Sequence, residues 1–271
     1  MKRLPTYFVS HGGGPWPWMK EQSGGMFDKL EASLQEMART LPEKPKAILV
    51  VSGHWEENAF TISAGAAPGM IYDYTGFPEH TYHVKYPAPG SPELAQRIQA
   101  MLKQGGVEAK LDPQRGYDHG TFTVMAPAFP DADIPVVQLS LRRDLDPKAH
   151  IEVGKLLAPL RDEGVLIIGS GLSYHNLRMF TPAATAPSQA FDRWLQTALT
   201  QVSPQEREQY LLQWDSAPAA RIAHPHEDHF LPLMVVVGAA GTDAGERVYH
   251  EDFMGIIAVS SFRFESAEHN Q

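Results

Sequence analysis

The chain has 271 residues, 43% of them hydrophobic and 20% charged, a balance that excludes long disorder and allows one large α/β core. A formal charge of -9 without any basic run argues against a general nucleic-acid binder, and the lack of cysteine excludes disulfides, zinc fingers, thiolate catalysis and Cys-ligated clusters. Any metal must be held by His, Asp, Glu or backbone oxygen, and the 12 histidines suit iron, zinc or manganese.

Met1-Lys2-Arg3-Leu4-Pro5 leads into a strand at about Thr6–Ser10 with no apolar leader or cleavage site, so a cytoplasmic protein is expected. Met26, Leu30, Leu34 and Met37 then share one face of a helix over about 26–40. Strands follow at about Ala47–Ser52 and Thr61–Ser63. Ser91-Pro92-Glu93 is an N-cap with proline at the first helical position, opening a helix to about Lys103. Further strands are expected at about Val107–Leu111, Ile134–Leu141 and Val165–Ile168, with a helix over about 147–161 before the last of them. Pro182 to Pro187 is expected as an exposed loop. Helices over about 188–201, 204–214 and 229–238 and strands near Arg247–Tyr249 and Ile256–Phe264 complete the chain. The longest apolar stretch, Leu231 to Ala240, is too short to span a bilayer. Alternation of this kind predicts a single α/β domain over residues 1–271, with a mainly parallel or mixed central sheet flanked by helices on both faces.

Three apolar runs, Tyr7-Phe8-Val9, Ile48-Leu49-Val50-Val51 and Val165-Leu166-Ile167-Ile168, each lead through glycine or serine to a histidine: His11, His54 and His175. Ligands of open α/β sheets bind outside the carboxyl ends of the strands, so these three can converge on a metal. The glycines of Ser10-His11-Gly12-Gly13-Gly14-Pro15 let the backbone approach a ligand closely. An esterase oxyanion hole would use a similar segment, but there is no G-x-S-x-G elbow to accompany it. His119, between Asp118 and Gly120, is either an acid or base oriented by Asp118 or part of a polar turn. His224-Pro225-His226-Glu227-Asp228-His229 places three histidines and two carboxylates within six residues, and either Glu227 or His229 could complete a triad with His11 and His54. Trp16, Tyr117 and Phe122 are among the aromatics that could wall a flat aromatic substrate.

The chain resembles the LigB-type class III extradiol ring-cleavage dioxygenases, in particular their DOPA extradiol dioxygenase group. The matching segments are Ser-His-Gly-Gly-Gly-Pro at 10–15, Val-Val-Ser-Gly-His-Trp at 50–55 and Tyr-Pro-Ala-Pro-Gly-Ser-Pro at 86–92. They continue with Gly-Tyr-Asp-His-Gly at 116–120, Pro-Asp-Ala-Asp-Ile-Pro-Val-Val-Gln-Leu-Ser at 130–140, His-Asn-Leu at 175–177 and Glu-Asp-His-Phe-Leu-Pro-Leu at 227–233. The resemblance implies a non-haem Fe(II) enzyme that opens a catechol ring beside its hydroxyls with both atoms of dioxygen, giving a muconic semialdehyde. It also implies that His11, His54 and His229 are metal ligands, with Glu227 as rival for the third. By the same resemblance His175 is the base, or a further ligand when Zn(II) fills the site, and His119 steers oxygen or donates a proton. The expected partners are a catecholic small molecule and O2, with no nucleic acid and no membrane. A homo-oligomer is left open, since no heptad declares one. The alternatives are a zinc hydrolase or an inactive metal-binding relative using the same histidines.

Overall fold

The computed structural model describes residues 2–267. Eight strands, β1 (Thr6–Ser10), β2 (Ala47–Glu57), β3 (Phe60–Ser63), β4 (Ala109–Asp112), β5 (Val136–Arg142), β6 (Val165–Gly171), β7 (Ala244–Phe253) and β8 (Ile257–Glu265), form one mixed sheet in the order β4-β3-β5-β2-β6-β1-β8-β7. The core strands β5, β2, β6 and β1 run parallel, while β8 joins β1 and β7 joins β8 in antiparallel pairs. The parallel strands are buried on both faces, which is why they read as unbroken Val/Ile/Leu runs rather than alternating ones.

Among the described residues the nine helices are α1 (Lys20–Ser23), α2 (Asp28–Arg39), α3 (Pro92–Gln104), α4 (His119–Ala128), α5 (Pro147–Leu157), α6 (Thr185–Thr200), α7 (Pro204–Leu212), α8 (Ala220–Ala223) and α9 (Pro232–Ala240). Two of them sandwich β6. A Cβ on Gly169 would lie 2.7 Å from the Pro232 carbonyl oxygen of α9, whereas the Ser170 hydroxyl donates to the Gly120 carbonyl of α4. Successive strand residues face opposite ways, so α4 and α9 cover opposite faces of the sheet. Helices α5 and α9 cross at Gly154 and Gly238, where an added Cβ would meet carbonyl oxygens at 2.1 and 2.0 Å.

Three expectations are corrected. The segment from His119 is helix α4 rather than a turn; it is buried almost all round, so it carries no amphipathic period, and Asp118 caps it by accepting from the Thr121 amide. Pro182 to Pro187 is exposed at Pro182, Ala183 and Ala186 but is not a loop: Pro182–Ala184 is a 3-10 turn with Ala184 buried, and α6 begins at Thr185. Strand β2 runs past Ser52 to Glu57 and shifts register against β5 between Val51 and Glu56, so His54 lies within this irregular strand rather than beyond it. Among the described residues no helix is long and apolar enough to cross a membrane.

Candidate metal centre

The site forms at the carboxyl side of the central strands β1, β2 and β6, beyond the ends of β1 and β6 and within the irregular last part of β2. His11 follows β1 in a turn that needs glycine: Gly12 has φ +73, and a Cβ there would lie 2.5 Å from Trp16 Nε1. The His11 carbonyl accepts from Trp16 Nε1 at 2.8 Å and from Thr123 Oγ1 at 3.2 Å, which fixes the turn. His54 enters from the bulged part of β2. His229 precedes α9, and its carbonyl accepts from the Leu172 amide at 3.0 Å. That approach depends on Gly171, where a Cβ would stand 2.0 Å from the same carbonyl oxygen.

These three histidines converge. His54 Nε2 lies 3.2 Å from His11 Nε2 and 3.1 Å from His229 Nε2. Two nitrogens held about 2.0–2.1 Å from one ion at right or tetrahedral angles are about 2.9–3.4 Å apart, so the spacing fits a shared cation. Protonation favours the same reading. Burial, followed by repulsion from neighbouring imidazoles, holds His11 and His229 well below the ordinary histidine value, and burial with His119 lowers His54 to about 3. Neutral nitrogens facing one another suit a metal, and His11 Nδ1, buried without a hydrogen-bond partner, is the atom that carries the proton when Nε2 is the donor. The donor set therefore fits a divalent transition ion.

Carboxylates stand behind the rings. Asp73 Oδ1 accepts from the backbone amide of His119 at 2.9 Å and sits 2.7 Å from its Nδ1, while Oδ2 lies 3.5 Å from His54 Nδ1. Burial opposes ionisation of Asp73, but the His119 hydrogen bonds and adjacent imidazoles outweigh it and hold the carboxyl below its usual value. Asp228 Oδ2 is 3.1 Å from His229 Nδ1, close but not aligned as a hydrogen bond. Neither carboxylate was singled out as a site residue in the sequence. Asp118, the expected partner of His119, instead accepts from Ser52, Arg115 and the Thr121 amide.

His175 stacks on His229 with ring centroids 3.5 Å apart and 12° between planes. Burial lowers its pKa below the ordinary value. His119 packs against His54, with ring centroids 4.0 Å apart. The remaining residues of the 224–229 run lie elsewhere. Glu227 pairs with Arg221 at 2.7 Å, His226 with Glu56 at 3.0 Å, and His224 is buried against the Ser173 carbonyl at 2.9 Å.

The aromatic expectations need correcting. Tyr117 is fully buried and its hydroxyl donates among the carbonyls of Ala88, Pro89 and Val136. Phe122 is equally buried behind Trp18, Tyr72 and Tyr74, and Trp16 is spent on the His11 turn and on stacking with Phe27. None of the three presents a free face to a substrate. A cavity of about 290 Å³ does adjoin the centre, bordered by Ser10, Gly12, Gly13 and His175.

The buried neutral imidazoles make acid lability an expected result. Burial lowers His54 and His224 to about 3 and His150 to about 4, against about 6.5 in an unfolded chain. Below pH 6.5 the unfolded chain therefore binds more protons than the folded one, and stability falls as pH drops through 6.5 towards 3. Each such group adds a slope of up to about 1.4 kcal/mol per pH unit. Melting of metal-free protein should show Tm falling from pH 6.5 to 4.5, with a shallower fall for His150→Gln; a flat profile would contradict the buried neutral state.

Residues 5–261 match the family model described as the catalytic LigB subunit of aromatic ring-opening dioxygenase. The 4,5-DOPA dioxygenase extradiol of Beta vulgaris is 42% identical over 266 residues, covering 96% of each chain. The enzyme of the same name from Escherichia coli (strain K12) is 36% identical over 244 residues, 88% of this chain and 85% of the relative. Among solved structures, an uncharacterized protein from Escherichia coli K12 superposes with a TM-score of 0.76 at 30% identity, covering 97% of this chain and 100% of the other.

Proposed function

Since the chain belongs to the LigB family of aromatic ring-opening dioxygenases, and so is an extradiol ring-cleavage enzyme, we propose that it opens a DOPA-like catechol at an Fe(II) held by His11, His54 and His229. The observation that carries the ligand set is the meeting of three neutral imidazole nitrogens at 3.1 and 3.2 Å spacing. Glu227, bound to Arg221, is left out of it. The reaction consumes one O2 per catechol, breaks a ring bond beside the two hydroxyls and places both oxygen atoms in the muconic semialdehyde.

When bound, Fe(II) supplies the Lewis acidity that favours the catecholate and the electron transfer that a spin-paired ring cannot make to dioxygen unaided. The protein's part is proton handling and alignment. His175, neutral at pH 7, takes a catechol proton at a ring nitrogen. Its stacking on His229 fixes the ring beside the bound substrate. His119 is anchored at Nδ1 by Asp73, leaving Nε2 as the end that gives or takes a proton within the site. Asp73 thus couples a ligand imidazole to an acid–base one.

Oxygen uptake by protein reconstituted anaerobically with Fe(II), followed with absorbance on a catechol panel, tests the reading. One O2 per catechol with a yellow product is expected, and Zn(II)-loaded protein should give none. Absence of uptake with every catechol, despite bound iron, would overturn it. A further expectation concerns Asp73→Asn, which keeps the acceptor oxygen but removes the charge behind His54 and His119. Loss of such a supporting group typically costs about 10–100-fold in activity or metal affinity. Unchanged kcat and metal content in that variant would remove Asp73 from the mechanism.

A further inference from the structure

We infer that His224 is a positioning residue: its buried ring holds the loop that carries His175 and so sets where that side chain stands. The inference rests on the ring-opening reading, which gives His175 the task of base. His224 ends α8 and is fully buried, with its amide donating to the Ala220 carbonyl at 2.8 Å. Its Nε2 lies 2.9 Å from the Ser173 carbonyl oxygen. A carbonyl only accepts, so Nε2 carries the proton and donates. The preceding residue adds a second bond, since the Ala223 carbonyl accepts from the His175 amide at 2.8 Å. A third lies one step further along, where Asn176 Nδ2 donates to the Ile222 carbonyl at 2.8 Å.

The first two bonds bracket Tyr174. The Ser173 carbonyl belongs to the peptide plane before Tyr174 and the His175 amide to the plane after it. Peptide planes are rigid, so holding both fixes φ and ψ of Tyr174, and with them the direction in which the His175 Cβ leaves the chain. The same loop is tied elsewhere by the Ser173 hydroxyl, which accepts from the Ser260 amide at 2.9 Å, and by the Tyr174 hydroxyl, which donates to the Met179 carbonyl at 2.7 Å. The result is a His175 ring lying 3.5 Å from His229 with 12° between planes, a stack that a small rotation at Tyr174 would undo. Packing does not account for an imidazole at position 224. Its neighbours are the rings of Phe230, Phe191 and Trp214, with centroids 5.0, 5.5 and 6.1 Å away, and Nδ1 is buried among them without a hydrogen-bond partner. A phenyl ring would fill the slot without an orphaned nitrogen. What it could not supply is the donor to Ser173.

Two substitutions separate the donor from the packing. His224→Phe keeps the aromatic contacts and loses the bond, whereas His224→Gln keeps an N–H donor at similar reach in poorer packing. In the Fe(II)-loaded enzyme, kcat per bound iron should fall about 10- to 100-fold in His224→Phe, the cost of misplacing a reacting group by ~1 Å. Its Tm should stay at or above that of wild type. His224→Gln should recover most of the lost kcat despite a lower Tm. Activity that followed Tm instead, with Phe fast and Gln slow, would overturn the inference and leave His224 a packing residue. A readout free of turnover comes from metal-free protein labelled with 15N-histidine. Stacking on His229 shifts the His175 ring protons upfield, and their loss in His175→Ala identifies them. They should move downfield in His224→Phe and return in His224→Gln; unmoved protons in the Phe variant would overturn the inference. His224→Leu, equally unable to donate, takes its place should the Phe variant not fold. A wild-type enzyme that opened no catechol would overturn the ring-opening reading alone, because the proton shifts decide the loop geometry by themselves.

Discussion

His54→Ala is expected to lose bound metal and ring cleavage together, with activity falling at least about 1000-fold, to the level of metal-free protein. The reason is position. His54 Nε2 lies within 3.2 Å of the other two donors, so it is the shared member of the set, and its loss leaves two nitrogens with water in place of the third. Removing it also ends the link through Asp73 to His119. Folding should survive, because the imidazole packs no apolar core and its burial in the neutral form already costs stability below pH 6.5. Metal-free His54→Ala should therefore melt no lower than metal-free wild type at pH 5. Metal content by atomic absorption beside the melting curve checks both halves. Glu227→Ala makes the contrast: its carboxylate is held by Arg221 outside the donor set, so metal should remain bound. Metal retained by the first variant and lost by the second would reverse the ligand assignment.

What could be read from the sequence follows from which forces are local. The runs around Phe8, Val50 and Ile167 are apolar because parallel strands are buried on both faces, and the observed strands begin at the expected residues Thr6, Ala47 and Val165. His11 and His54 could be flagged because glycine and serine follow or precede them at strand ends. Helix α4 escaped because its burial hides the period that marks a helix, and Phe122-Thr123-Val124 has strand-like composition. Asp73 escaped for a different reason. It is 46 residues from His119 in sequence, in a turn-rich aromatic segment, and nothing local marks it. Asp118 was misleading because adjacency is not contact: an N-cap side chain turns back to the amide of Thr121 and cannot also hold the next residue's ring. The aromatic residues were illegible in the same sense, since Tyr117 and Trp16 are recruited by carbonyls that only the folded backbone brings to them. The apolar cavity, drawn from β1, β8 and the segment after β6, has no sequence signature at all.

His175→Ala is expected to separate metal binding from turnover. The three converging nitrogens do not include His175, whose ring lies flat against His229 and borders the cavity. Iron content should therefore stay at the wild-type level while kcat falls about 100- to 10,000-fold, the range a positioned base supplies. His175→Gln distinguishes proton transfer from packing. It restores most of the volume over His229 and a polar tip, yet it cannot hold a proton, so it should be as slow as the alanine variant. A signature independent of rate is available in anaerobic Zn(II)-loaded protein, where catechol deprotonation on binding is followed by its near-ultraviolet absorbance. With His175 present the proton has an acceptor whose pKa burial keeps low, so its neutral form is available through neutral pH. Without it the midpoint of catecholate formation should move to higher pH. Normal turnover by His175→Ala would end its role as base. Loss of metal in the same variant would instead make His175 a ligand, and the stacked geometry would then belong to the metal-free protein.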